Sequence, residues 1–273
     1  MARSIGGGLT RIMGVHAAVD GDDMPRPVYP ALDSNTILAW NFTGSSGAIA
    51  NLGTAGSGAN FVTIGSQVVR NVPGPVNAGV GMYGVTANNG MWTAQGAGAS
   101  LGSASFTNEI TLAVFVDVTV ETTLSPGGYQ RILTKGENGS AWSGNFVGAS
   151  LEFNGSSFIG AALSVAGLRL TTGTFGTTAY GWRPGFHMLA YTYNGTISRL
   201  YFDGVQVSTT NHGSASNIVL GAAGNEGPWN IGTNYSGVVA EGFRGVVYHA
   251  RVENIVRDAT WINSAWKAAN GWV

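Results

Sequence analysis

The sequence contains no cysteine, which excludes a disulfide framework, a catalytic thiol and thiolate-bound zinc. Charge is scarce as well: only 10% of residues are Asp, Glu, Lys or Arg, against about a quarter in ordinary soluble domains. The 13 basic and 14 acidic side chains nearly cancel to a formal net charge of −1, and no Lys/Arg run forms a stripe for phosphates. Nucleic acid is therefore not an expected partner. No apolar run approaches the roughly 18 residues that a membrane-spanning helix needs, so membrane insertion is not expected either. The opening stretch Met1 to Gly8 has no apolar core of a signal peptide, which predicts a soluble chain without Sec export. A phosphate-binding Gly-x-x-x-x-Gly-Lys loop and a Gly-x-Ser-x-Gly nucleophile elbow are also missing. His16, His187, His212 and His249 fall at no metal-ligand spacing.

What the chain does have is glycine and aromatics: 43 Gly with 8 Trp, 9 Tyr and 11 Phe, and 44% hydrophobic residues. Aromatics bury the most area per residue, and 273 residues suit one large all-β unit. Short apolar runs bounded by Gly, Asn and Ser begin near Ile37 and continue to Val252, the spacing of a sandwich or barrel. The clearest is Ile110 to Val120: Ile110, Leu112, Val114, Val116, Val118 and Val120 form one face and Thr111, Asp117 and Thr119 the other. Further strands are expected at Thr36–Phe42, Arg131–Lys135, Ser150–Phe153, Phe158–Val165, Phe186–Tyr193, Ser198–Phe202, Val205–Thr209, Trp229–Gly232 and Phe243–Val252. Asn194-Gly195 and Asp203-Gly204 favour the positive φ angles of tight hairpins, so the connections are expected to be antiparallel. Near the end, Ile262, Ala265, Trp266 and Ala269 recur at helical spacing between a capping Asp258 and a terminating Asn270-Gly271.

Residues 1–31 differ. They have no sustained period, one apolar patch, then alternating prolines, which fix φ and favour an extended segment that docks on something else. This predicts an assembly arm carried by Ile5, Leu9, Ile12, Met13, Val15, Pro25 and Pro27, then a sandwich over 32–256 and a helix over 257–273 packed on it.

The segment Gly185-Phe186-His187-Met188-Leu189-Ala190-Tyr191-Thr192-Tyr193-Asn194-Gly195, followed by Leu200-Tyr201-Phe202-Asp203-Gly204-Val205, resembles the aromatic-His strand, turn and Asp-Gly strand of laminin G-like jelly rolls in the concanavalin A-like lectin/glucanase superfamily. Trp229-Asn230-Ile231-Gly232, Phe243-Arg244-Gly245 and Ala250-Arg251-Val252-Glu253-Asn254 resemble its later strands. Looser likenesses are Leu38-Ala39-Trp40-Asn41-Phe42, Ile110 to Val116 and Ile132-Leu133-Thr134-Lys135. The resemblance implies an all-β, two-sheet antiparallel jelly roll and a structural role for His187. One departure is that Tyr248 and His249 stand where many relatives carry acidic residues.

The superfamily includes lectins, adhesion modules and glycosidases, so the fold alone does not fix function. Glycosidases need two carboxylates about 5 to 9 Å apart. No Glu-x-Asp-x-x-Glu run occurs, and Glu152, Glu226, Glu241 and Glu253 are isolated in sequence, so no enzyme and no catalytic residue is expected. Calcium, the usual accessory ion, has no dense Asp cluster; Asp33 and Glu226 are the only guesses at ligands, and no cofactor or metal is expected. Sugar rings stack on loop aromatics while their hydroxyls meet amides, which nominates Trp142, Asn145, Trp229 and Tyr235, with core packing the competing reading for Trp229. The expected function is a non-enzymatic virion protein, a bacteriophage capsid decoration protein or tail or fibre appendage, displaying a lectin-like body for host-surface or glycan attachment. Its expected partners are further copies of itself or other virion proteins, bound through the arm. The alternatives are a carbohydrate-binding module of a non-viral, extracellular assembly and, third, a glycoside hydrolase or lyase.

Overall fold

The computed structural model describes residues 27–66, 68–82, 90–93, 105–118, 129–137, 148–154, 158–165, 168–176, 185–214, 217–220, 226–233 and 242–271. In chain order the strands are β1 (Thr36–Asn41), β2 (Phe61–Ile64), β3 (Val68–Val72), β4 (Gly79–Met82), β5 (Met91–Thr93), β6 (Ile110–Val118), β7 (Tyr129–Glu137) and β8 (Ala149–Asn154). They continue as β9 (Phe158–Val165), β10 (Leu168–Gly176), β11 (Gly185–Tyr193), β12 (Ile197–Phe202), β13 (Val205–Asn211), β14 (Glu226–Ile231) and β15 (Gly245–Glu253), and end with helix α1 (Ala259–Ala269). Two antiparallel sheets result. One has the order β13-β12-β11-β6-β15-β4-β3 with β1 also on β15, the other β10-β9-β8-β7-β14-β5-β2. This is the two-sheet jelly-roll sandwich that the sequence predicts.

β15 organises the eight-stranded sheet. Along one edge it pairs β6; along the other its first residues, Gly245 to Val247, pair β4 while His249 to Glu253 pair β1. The ladder slips between Val247 and His249, and the extra residue of such a bulge turns the side chains that follow to the opposite face. Val247, Ala250 and Val252 therefore join the main core, whereas His249, Arg251 and Glu253 stand on the outer face with Ala113 and Phe115 of β6.

Between the sheets, Trp40, Phe61, Leu112, Val114, Leu151, Tyr191, Trp229 and Ile231 belong to one buried cluster, each large side chain contributing about 1.5–3 kcal/mol by leaving water. A second cluster lies outside the eight-stranded sheet, where Ile262, Ala265, Trp266 and Ala269 of α1 cover Ala113, Phe115, Met188, Ala190 and Tyr201. β6 is thus covered on both faces, which is why it reads as an almost unbroken apolar run. The helix starts as expected, with the Asp258 carboxylate accepting from the Trp261 N–H at 2.7 Å, and stops at Gly271 with φ +72°.

The β12–β13 hairpin shows why Asp203-Gly204 stands where it does. Both residues have positive φ, 48° and 79°, as a two-residue hairpin turn requires. Asp203 also accepts from the Met188 N–H at 2.9 Å and pairs with His187 Nδ1 at 2.8 Å, tying the turn to β11. A Cβ on Gly204 would come within 3.0 Å of the Asn263 backbone and 3.1 Å of Trp266 Cβ, so the glycine also lets α1 seat.

The end of the expected arm packs against the sandwich itself. The Val28 N–H donates to the Ala268 carbonyl at 3.0 Å, Tyr29 stacks on His249 at 4.5 Å between centroids, and Arg251 donates to the Pro30 carbonyl at 3.2 Å. The expected boundary at residues 31 and 32 thus cuts through a docked strap. Of the arm residues, Pro27 is half-buried at its start, while Ile5, Leu9, Ile12, Met13, Val15 and Pro25 lie outside the described residues.

Candidate functional site

On the seven-stranded sheet, residues that alternate with core side chains form a polar outer face. Leu151 and Phe153 point into the core, so Ser150 and Glu152 between them face outward. Register then brings partners from the neighbouring strands: Thr134 lies opposite Ser150, Asn230 opposite Thr134, and Arg131 opposite Glu152. On β9 the facing residues are Gly160 and Ala162, whose small side chains keep the face low beside the polar ones.

The hydrogen bonds make this floor rigid. Arg131 forms an ion pair with Glu152, whose Oε2 also accepts from Ser150 Oγ at 3.0 Å. Thr134 Oγ1 donates to the Thr233 carbonyl at 3.1 Å. Asn230 donates through Nδ2 to the Pro228 carbonyl at 3.1 Å and leaves Oδ1, a buried acceptor, without a partner. Around the corner Lys135 is drawn inside, its Nζ donating to the Gly227 carbonyl at 2.6 Å and lying 6.0 Å from the Trp229 ring. A carboxylate held by a guanidinium and a hydroxyl is a poor proton shuttle, and Arg131, Thr134, Ser150, Glu152 and Asn230 are all buried, between 0% and 4% exposed, so this network braces the sheet. In the backbone ladder of β14 and β7, Glu226 and Glu137 are register partners.

Of the residues nominated for stacking, Trp229 requires a correction. It is 0% exposed in the main core because Gly227 and Pro228 belong to β14 rather than to a loop, and strand alternation turns the indole inward with Ile231. It offers no face to a sugar. Trp142, Asn145 and Tyr235 lie outside the described residues. Of the calcium guesses, Asp33 is engaged by Arg257, and that guanidinium holds its carboxyl below the usual range. Among the described residues no three His, Asp or Glu side chains converge as a metal site. Sequence reasoning did not single out Arg131, Ser150, Thr134 or Asn230. Their alternation with core residues is visible, but their meeting depends on register.

A two-sheet antiparallel sandwich with a polar outer face belongs to the class of lectin-like jelly rolls. Residues 93–263 match the laminin G-type family of the concanavalin A-like lectin/glucanases superfamily, and the chain belongs to that family. A comparison with curated protein sequences finds no match. Among solved structures, a sialidase from Trypanosoma rangeli is similar at TM-score 0.57 and 16% identity, over 91% of this chain and 37% of the sialidase. The binding domain of Paraclostridial Mosquitocidal Protein 1 is similar at 0.57 and 10% identity, over 86% and 52%. Domain 4 of AbnA, a GH43 extracellular arabinanase from Geobacillus stearothermophilus solved with arabinotriose, is similar at 0.55 and 12% identity, over 85% of this chain and 98% of that domain. The chain therefore spans little more than a third of the sialidase, and at these identities the likeness is one of fold.

Proposed function

We propose that this chain is a non-catalytic recognition module whose target is a surface glycan. The observation that carries the reading is the state of Glu152: this carboxylate is buried and tied to Arg131 and Ser150, so it does not serve as a free acid or base. The size match to an arabinanase domain solved with a trisaccharide supports it, as does family membership. Trp142, Asn145 and Tyr235 are proposed to supply the sugar-stacking and amide contacts. Binding of the intact chain to a glycan array is expected, with the signal weakened in Trp142→Ala. Equal silence from both proteins sinks the proposal.

The setting we propose is a virion surface, a capsid decoration or a tail or fibre appendage, with residues 1–26 as the tether; low charge, high glycine and the proline-spaced arm support it. Removing those residues should abolish incorporation into particles, and unchanged occupancy refutes the tether. The hydrolase alternative rests on the Glu226–Glu137 register. Release of sugars from an oligosaccharide by the wild type and not by Glu226→Gln would establish it over the non-catalytic reading.

A further inference from the structure

A second, unassigned cleft opens on the eight-stranded sheet. It has a volume of about 280 Å³ and is lined by the strap Val28 to Leu32 together with Asn41, Leu52, Val76, Asn77 and His249. Its mouth is apolar: Val28, Leu32 and Leu52 are 51%, 41% and 48% exposed, three of the six large hydrophobic residues exposed to this extent among the described residues. Its floor is polar and unsatisfied. His249 is buried and its Nδ1 lies 2.7 Å from Asn41 Oδ1, an acceptor, so Nδ1 carries the proton and Nε2 presents a lone pair. That Nε2, Asn77 Oδ1 and the Tyr29 hydroxyl are all buried without a hydrogen-bond partner.

We propose that this cleft binds a small, neutral, hydroxyl-rich ligand of monosaccharide size. The unpaired floor atoms are acceptors together with one hydroxyl, so they call for a ligand that donates. An anion would meet lone pairs, and Arg251, whose terminal nitrogens go to Glu253, Thr36 and the Pro30 carbonyl, is not among the residues that line the cleft. The imidazole stays neutral because burial, reinforced by the Arg251 charge, pushes its pKa down to about 3, which keeps the acceptor available at physiological pH. The exposed Val and Leu side chains suit the C–H face of a sugar ring or polyol. The volume sits just below the roughly 300–1,000 Å³ of small-molecule sites, about nine waters at ~30 Å³ each.

The test uses the full-length chain labelled with ¹⁵N-histidine and a panel of glycerol, glucose and N-acetylglucosamine, with acetate as the anionic control. At least one neutral probe is expected to shift the His249 Nε2 resonance saturably and acetate to leave it unmoved. Leu52→Trp, which fills the mouth from an exposed position, should abolish the shift while leaving the melting temperature in place. His249→Phe keeps the stacked ring and loses the acceptor, and should weaken binding measured by calorimetry by up to about tenfold, as one hydrogen bond allows. The proposal is overturned by silence from all three probes, by a shift that survives Leu52→Trp, or by acetate binding as well as sugar. Trp142→Ala should leave this binding untouched, which separates it from the array experiment.

Discussion

The polar cluster under the strap supports the sharpest stability prediction. Glu253 and Arg251 are both 0% exposed and form an ion pair. Thr36 bridges them, its Oγ1 donating to Glu253 at 3.1 Å and accepting from Arg251 at 2.9 Å. Arg257 adds two donors to Glu253, each at 2.9 Å, and the Trp261 ring lies 5.0 Å from the Arg251 guanidinium and 4.8 Å from that of Arg257. One buried carboxylate therefore balances two cations, and Glu253→Gln leaves the buried Arg251 uncompensated. Removing one partner of a buried pair costs about 3–5 kcal/mol. At roughly 2–4 °C per kcal/mol for a chain of this size, the melting point should fall by about 6–20 °C. Urea unfolding followed by tryptophan fluorescence reads the same loss as a lower midpoint at unchanged slope. The double variant Arg251→Met with Glu253→Leu removes both charges, leaves Arg257 to the half-exposed Asp33, and should recover to within about 1 kcal/mol of wild type. A single-variant loss under about 1 kcal/mol, or a double variant less stable than the single, refutes the reasoning.

Three other outcomes are expected. His249 is neutral in the fold down to about pH 3, but in the unfolded chain it takes up a proton near pH 6.5; the unfolded state thus binds more protons between those values, and stability falls as pH is lowered through them. Between pH 7 and 5 the wild type should lose about 2 kcal/mol more than His249→Phe at about 1.4 kcal/mol per unit, read from urea midpoints; parallel profiles would show that the imidazole is not the group responsible. Gly204→Ala meets the helix at 3.0 Å and keeps φ near +79°, so it should cost at least about 1–2 kcal/mol, and a neutral result in thermal melts would mean that α1 is free to shift. Deleting residues 1–26 should leave the melting temperature of the sandwich within a few degrees, whereas deletion through Asp33 strips Tyr29 and the Arg257 pair and should lower it clearly; equal melting of the two truncations would refute a structural strap.

The sequence by itself determined the all-β class, ten of the strands, the capped terminal helix and the family, because period-two alternation, Asp-Gly and Asn-Gly turns and the Phe-His strand are local signals. It did not reveal β2, β3, β4, β5 and β10. Gly79-Val80-Gly81-Met82 and Leu168 to Gly176 mix glycine and threonine without a clean apolar period, and they are strands because a neighbouring ladder offers them partners. Only tertiary structure decided the sites. Trp229, at the start of an expected strand, reads as either a sugar-stacking or a core aromatic until strand alternation turns it inward, Arg131 meets Glu152 through register alone, and the bulge after Val247 is what sends His249, Arg251 and Glu253 to the outer face. Long-range pairing chooses which side of a sheet each residue occupies, and a single extra residue in one strand reverses the choice. A carboxylate isolated in sequence can therefore be the centre of a buried network, and a segment that reads as a free arm can end as the strap that closes a cleft.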